Sequence, residues 1–150
     1  MSRIDFYHLQ SSDLEHTLPL LLEKAYALQQ NILLKIGTPE RVAYLNTLLW
    51  TYDEEAFLPH GAKTDGNANL QPIWLTCGDD NPNAASLLFL VDGAEASIDG
   101  MSQFSRVFYI FDGNVQEQLH KAREFWQAAK SGGLDCFYWQ QTEQGRWQQK

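Results

Sequence analysis

Short, continuous apolar runs alternate along this chain with longer stretches in which leucine and alanine recur every three or four residues. The runs have the length and composition of buried strands, and the longer stretches have the period of amphipathic helices. Ile4 to Leu9 predicts a first strand. Ser12 with Glu15 three residues on has capping-box spacing and opens a helix through Gln29, with Leu18, Leu21, Leu22, Ala25 and Leu28 on one side. Pro19 is tolerated only near a first turn, which places the regular helix from about Thr17. Asn31 to Ile36 predicts a buried strand. Thr38-Pro39-Glu40 then starts a helix with Val42, Leu45, Leu48 and Leu49 at helical spacing, ending near Trp50.

Residues 51–71 read as a long connection, and one of that length in a compact domain is usually functional or mobile. Strands follow over Pro72 to Cys77, Ser86 to Val91 and Arg106 to Phe111, with a small segment around Met101 to Phe104 before the last of these. Asn114, with Glu117 three residues on, predicts a helix that stops at Gly132-Gly133, and Leu134 to Gln140 predicts a final strand. Strands separated by helices imply a mostly parallel sheet covered on both faces. The expected fold is therefore one three-layer α/β/α domain over residues 1–150, with right-handed crossovers.

Composition fits such a core: 44% of the 150 residues are hydrophobic and 13% aromatic. The net charge of −8 argues against broad binding to duplex DNA or anionic membranes. That charge is uneven. Residues 121–150 carry five basic and three acidic side chains, a mildly basic region that suits a small acidic ligand or peptide. Cys77 and Cys136 lie in or beside apolar runs and read as free buried thiols in a reducing compartment, although the sequence leaves a disulfide between them open. With no signal-peptide pattern after Met1 and no apolar run near the ~20 residues needed to span a bilayer, the expected location is cytoplasmic.

Catalytic and cofactor motifs are missing. Gly61-Ala62-Lys63-Thr64 resembles the end of a phosphate loop, but Ala62 separates Gly61 from Lys63, and Ala56 stands where a glycine is required. The glycine-rich dinucleotide pattern is absent after the first strand. The four histidines show no helical His-x-x-x-His pair, and neither cysteine has a Cys-x-x-Cys partner, so no metal or cofactor is expected. His60 could serve as a general base, yet it has no nucleophile or orienting carboxylate nearby in sequence. A loop histidine holding backbone or interface contacts is the better reading. Asp79-Asp80 belongs to a turn-forming segment and reads as solvated.

Two stretches suit partners. Trp50, Tyr52, Phe57 and Leu58 surround a helix end and a loop, where large aromatics serve either as interface anchors or as cover for the core edge. On the helix from Asn114, the apolar positions are Val115, Leu119, Ala122, Phe125 or Trp126, and Ala129. Phe125 and Trp126 point about 100° apart, so one of them is expected to be exposed. Arg123 lies three residues before Trp126, on the same side. A guanidinium there can pair with a carboxylate while an apolar group packs on the indole.

These residues carry a resemblance. The chain resembles the chi subunit of the bacterial DNA polymerase III clamp-loader complex over nearly its full length. The resemblance rests on Phe6-Tyr7, Leu49-Trp50, Phe57-Leu58-Pro59-His60-Gly61, Gln71-Pro72-Ile73 and Phe111-Asp112-Gly113. It extends to Ala122-Arg123 with Trp126 and Lys130, and to Gly145-Arg146-Trp147. It implies an α/β/α fold similar to nucleotide-binding domains but without the nucleotide site. It also implies a noncatalytic adaptor that binds the acidic, Pro-Phe-terminated tail of single-stranded DNA-binding protein. A second partner would be the psi subunit, which tethers chi to the clamp loader, or a DNA-repair helicase. Under it, Arg123 receives the tail's terminal carboxylate, with Trp126, Gln127, Phe111 and Lys130 around it; Trp126 and Gln127 stand where some relatives have tyrosine and lysine. Trp50, Phe57, Leu58, Pro59 and His60 form the psi- or helicase-facing surface. The alternative is a small nucleotide-acting enzyme using His60 and the acidic loop, which requires a polar pocket beside His60.

Overall fold

The computed structural model describes residues 2–53 and 58–150. Seven strands run parallel: β1 (Arg3–Leu9), β2 (Ile32–Ile36), β3 (His60–Gly61), β4 (Ile73–Thr76), β5 (Leu87–Val91), β6 (Arg106–Asp112) and β7 (Asp135–Gln141). An antiparallel β8 (Trp147–Gln149) pairs with β7 and completes one sheet in the order β3-β4-β2-β5-β6-β1-β7-β8. The helices are α1 (Leu14–Tyr26), α2 (Pro39–Thr51), the short α3 (Ile98–Met101) and α4 (Gln116–Ser131). The expected α/β class, with a mostly parallel sheet covered on both faces, is what the chain forms.

Strand alternation explains the layers. Tyr7, Leu34, Phe89 and Phe108 point to one face and pack with Leu18 and Leu22 of α1 and Leu45 and Leu49 of α2. Ile4, Phe6, Leu88 and Tyr109 point to the other and pack with Met101 of α3 and with Ala122 and Ala129 of α4. Each fully buried leucine or phenylalanine contributes about 1.5–3 kcal/mol relative to exposure. Because β2 and β5 lie between other parallel strands, nearly every residue in them is buried, which is why they read as continuous apolar runs.

Asp5 is 0% exposed, so its charge needs partners. Its carboxylate accepts from Arg3 Nε and Nη2 at 3.1 and 3.0 Å, from Arg106 Nε at 2.7 Å and from Trp139 Nε1 at 3.0 Å. One buried carboxylate thereby ties β1 to β6 and β7. The guanidiniums lie over aromatic rings, Arg3 over Phe137 and Arg106 over Phe108.

Several local expectations are corrected. Asp13, not Ser12, caps α1 by accepting from the His16 amide, while the Ser12 hydroxyl bonds that of Thr17 and Glu15 pairs with Arg41. The helix begins at Leu14 and ends at Tyr26, with a buried Pro19 inside it, so Leu28 falls beyond its end and is exposed. Val115, not Asn114, is the N-cap of α4 and makes no side-chain cap bond; Asn114 Nδ2 instead donates to the Gln10 carbonyl. The connection over 51–71 contains β3 and a 3-10 turn at Ala68–Leu70. Both cysteines are free thiols, but neither is buried: Cys77 is exposed and Cys136 half-buried. Thr38 caps α2 by accepting from the Arg41 amide, with Pro39 at the first helical position, as expected. No helix among the described residues is long and apolar enough to cross a membrane.

Candidate interaction surfaces

α2 carries Trp50 into its last turn, 49% exposed, and β3 begins at His60, which is 2% exposed. The two rings meet with centroids 4.1 Å apart. His60 Nδ1 lies 2.7 Å from the Leu58 carbonyl oxygen and Nε2 lies 3.0 Å from that of Asn46. A neutral ring donates to one of these two carbonyl oxygens, and the ring itself is buried. His60 holds the 58–61 segment against α2, as the backbone-contact reading expects. Leu58 is buried in the core under α1 and α2, and Pro59 is half-buried. Phe57 lies outside the described residues. Of the others expected here, Trp50 supplies the exposed apolar area while Leu58 and His60 support it from beneath.

A second surface runs along α4. Arg123, Gln127 and Lys130 are exposed, and Trp126 is half-buried. Arg123 makes no hydrogen bond or ion pair with any described residue. Its helix neighbours differ: Glu124 pairs with His120 and Lys121 with Glu117. Lys130 Nζ sits 5.2 Å from the Trp126 ring centre. Phe125 and Trp126 do not split into one buried and one exposed ring. They straddle Phe6, at centroid distances of 6.0 and 5.1 Å, and both are half-buried, because the Phe6 ring on β1 fills the space between them. Phe111 is 2% exposed and lies beneath this surface, against His8 and Tyr138.

Two residues of this surface were not expected from sequence. His8 Nδ1 lies 2.6 Å from the Tyr138 hydroxyl, and the His8 ring stacks obliquely on Phe111 at 4.9 Å. Tyr138 in turn meets Trp126 edge-on at 5.8 Å. Burial lowers the His8 pKa, the positive charge of Arg123 lowers it further, and Asp112 acts in the opposite direction. Burial raises that of the Tyr138 phenol, against which Arg123 acts. Arg123, His8 and Tyr138 therefore belong to one electrostatic neighbourhood. Gly113 permits it: a Cβ there would stand 1.8 Å from His8 Nε2. The available signal was alternation, since Phe6 and His8 share a face of β1.

In open α/β sheets, ligands favour the carboxyl ends of the strands where strand order reverses. Here that region is a cavity of about 110 Å³ lined by Leu9, Asp13, Glu15, Arg41, Asp92 and Asp112 among others. Its one guanidinium is already bonded to Glu15 and Asp92, at 2.7 and 2.8 Å. A nucleotide phosphate would meet carboxylates and no free cation. Next to Asp92 the chain packs closely, since a Cβ on Gly37 would lie 2.0 Å from the Asp92 carbonyl oxygen. Asp79 pairs with Lys35, Asp80 accepts from the Thr76 hydroxyl, and no group of three metal-ligating side chains forms among the described residues.

The family model described as DNA polymerase III chi subunit, HolC, matches residues 1–136. This chain belongs to the DNA polymerase III chi subunit family. It is 29% identical over 144 residues to the probable DNA polymerase III subunit chi of Rickettsia prowazekii, covering 91% of this chain and 86% of the relative. It is 33% identical over 92 residues to the DNA polymerase III subunit chi of Pseudomonas aeruginosa, covering 59% of this chain and 63% of the relative. A chi subunit is an accessory component of the replicative polymerase. The matched span includes Trp50, His60, His8 and all of α4, while most of β7 and all of β8 lie beyond it. In this chain the ligand end of the mostly parallel sheet is lined by carboxylates.

Proposed function

We propose that this chi-family subunit is a noncatalytic adaptor, working as one unit over residues 1–150, with two protein-binding faces. The face of Arg123, Trp126, Gln127 and Lys130 takes the acidic C-terminal tail of single-stranded DNA-binding protein. The face built on Trp50, Phe57, Leu58, Pro59 and His60 takes the psi subunit, and through it the clamp-loader complex, or a repair helicase. The observation that carries the first assignment is an exposed guanidinium without an internal partner, three residues from a half-buried indole. Such a pair offers a terminal carboxylate a charge-assisted bond and an adjacent aromatic side chain an apolar shelf. The burial of His60 against backbone carbonyls and the acidic ligand end of the sheet favour an adaptor over a nucleotide-acting enzyme.

The test is titration with a short acidic peptide ending in Pro-Phe at two salt concentrations. Affinity should fall as salt rises, and Arg123→Ala should weaken binding by about tenfold or more. Unchanged binding by that variant would remove Arg123 from the site.

A further inference from the structure

We infer that His8, hydrogen-bonded to Tyr138, is a second donor of the Arg123 surface and makes capture of an acidic peptide terminus strengthen as pH falls. The inference rests on the adaptor reading above and adds to it a binding residue and a proton.

The geometry is specific. His8 is 9% exposed, and its Nδ1 is committed to the Tyr138 hydroxyl at 2.6 Å. Nε2 has no hydrogen-bond partner among the described residues and is not sealed from solvent. It sits where Gly113 lacks a side chain. In the neutral pair with the ring proton on Nε2, the tyrosine hydroxyl donates to Nδ1, which leaves one donor available. In the charged pair, Nδ1–H donates to the tyrosine oxygen, so that hydroxyl's own hydrogen is released as well. Protonation therefore adds a positive charge and a donor beside Arg123. The groups that face His8 are Asp112 from β6, Arg123 from α4 and Tyr138 from β7. With no ligand present, burial and Arg123 disfavour the charged ring. A carboxylate seated on Arg123 offsets that charge and adds its own, so it binds with uptake of a proton at His8. Linkage fixes the sign: the gain is full below the His8 pKa of the free protein and is lost as pH rises through the higher pKa of the complex.

The experiment uses the full chain and the acidic Pro-Phe peptide between pH 5.5 and 8.5, where the peptide's own carboxylates stay ionised. Affinity should be about three- to tenfold higher at the acid end. His8→Gln should remove that slope while retaining salt-sensitive binding. In wild type, the NMR titration of the His8 ring should move to higher pH when peptide saturates the protein, a readout that needs no substitution. Equal pH profiles for wild type and His8→Gln, or a His8 titration unmoved by peptide, would overturn the inference and leave the adaptor standing. No binding by wild type at any pH would overturn both.

Discussion

The half-exposed Trp50 indole lies on the buried His60 ring, their centroids 4.1 Å apart. The two should respond differently to truncation. Trp50→Ala removes a half-exposed indole and should cost about 1–2 kcal/mol of stability, while abolishing capture of the second partner. His60→Ala removes a ring that is 2% exposed and bonded to the 58–61 and α2 backbone, and should cost about 2–4 kcal/mol in urea unfolding. Equal destabilisation by both would show that Trp50 is core cover rather than an anchor.

Gly113→Ala should destabilise by about 2–3 kcal/mol, because the new methyl overlaps His8 Nε2 and that ring is held by Phe111 and Tyr138. Combining it with His8→Ala should recover much of the loss. A double variant no more stable than Gly113→Ala alone would place the clash elsewhere.

Asp5→Ala should be among the more damaging single changes. It strands two guanidiniums and the Trp139 indole N–H that the buried carboxylate satisfies. Because Arg3 and Arg106 are partly exposed, water recovers some of the loss, and the cost should be about 2–4 kcal/mol rather than that of a sealed pair. A loss below 1 kcal/mol in chemical denaturation would mean that the cluster contributes little beyond packing.

Stability should also depend on His8. Burial, then Arg123, lowers its folded pKa below the ordinary value, so the unfolded chain binds the proton more tightly. Its contribution is intact above about pH 6.5 and is lost as pH falls from there to the folded pKa. Thermal melts between pH 5 and 7.5 should show a shallower slope for His8→Gln than for wild type. Arg123→Ala removes a positive neighbour and should shift the loss to higher pH while narrowing it.

The layered fold was legible because its main signals are local. Buried runs such as Ile32–Ile36 and the Thr38-Pro39-Glu40 start each specify an element within a few residues. What was missed depends on distant partners or on competing local ones. β3 and β8 are two- and three-residue strands that exist only because β4 and β7 lie beside them. Ser12 and Asp13 are both good caps, and the choice falls to Asp13 while Ser12 bonds Thr17. At the Arg123 surface, α4 displayed its own stripe. His8 did not announce itself, because its partner Tyr138 lies 130 residues further along the chain. The depth of Phe111 was not legible, since an apolar residue at a strand end reads the same whether it lines a pocket or its floor.

The position of β1 between β6 and β7 bears on how the chain is made. Residues 3–9 leave the ribosome well before the strands on either side of them, 106–112 and 135–141. Until those emerge, Ile4, Phe6 and Leu9 have no sheet to join. The nascent chain thus carries an unpaired apolar strand until β6 and β7 emerge, and the sheet should close slowly, as topologies with distant pairings do.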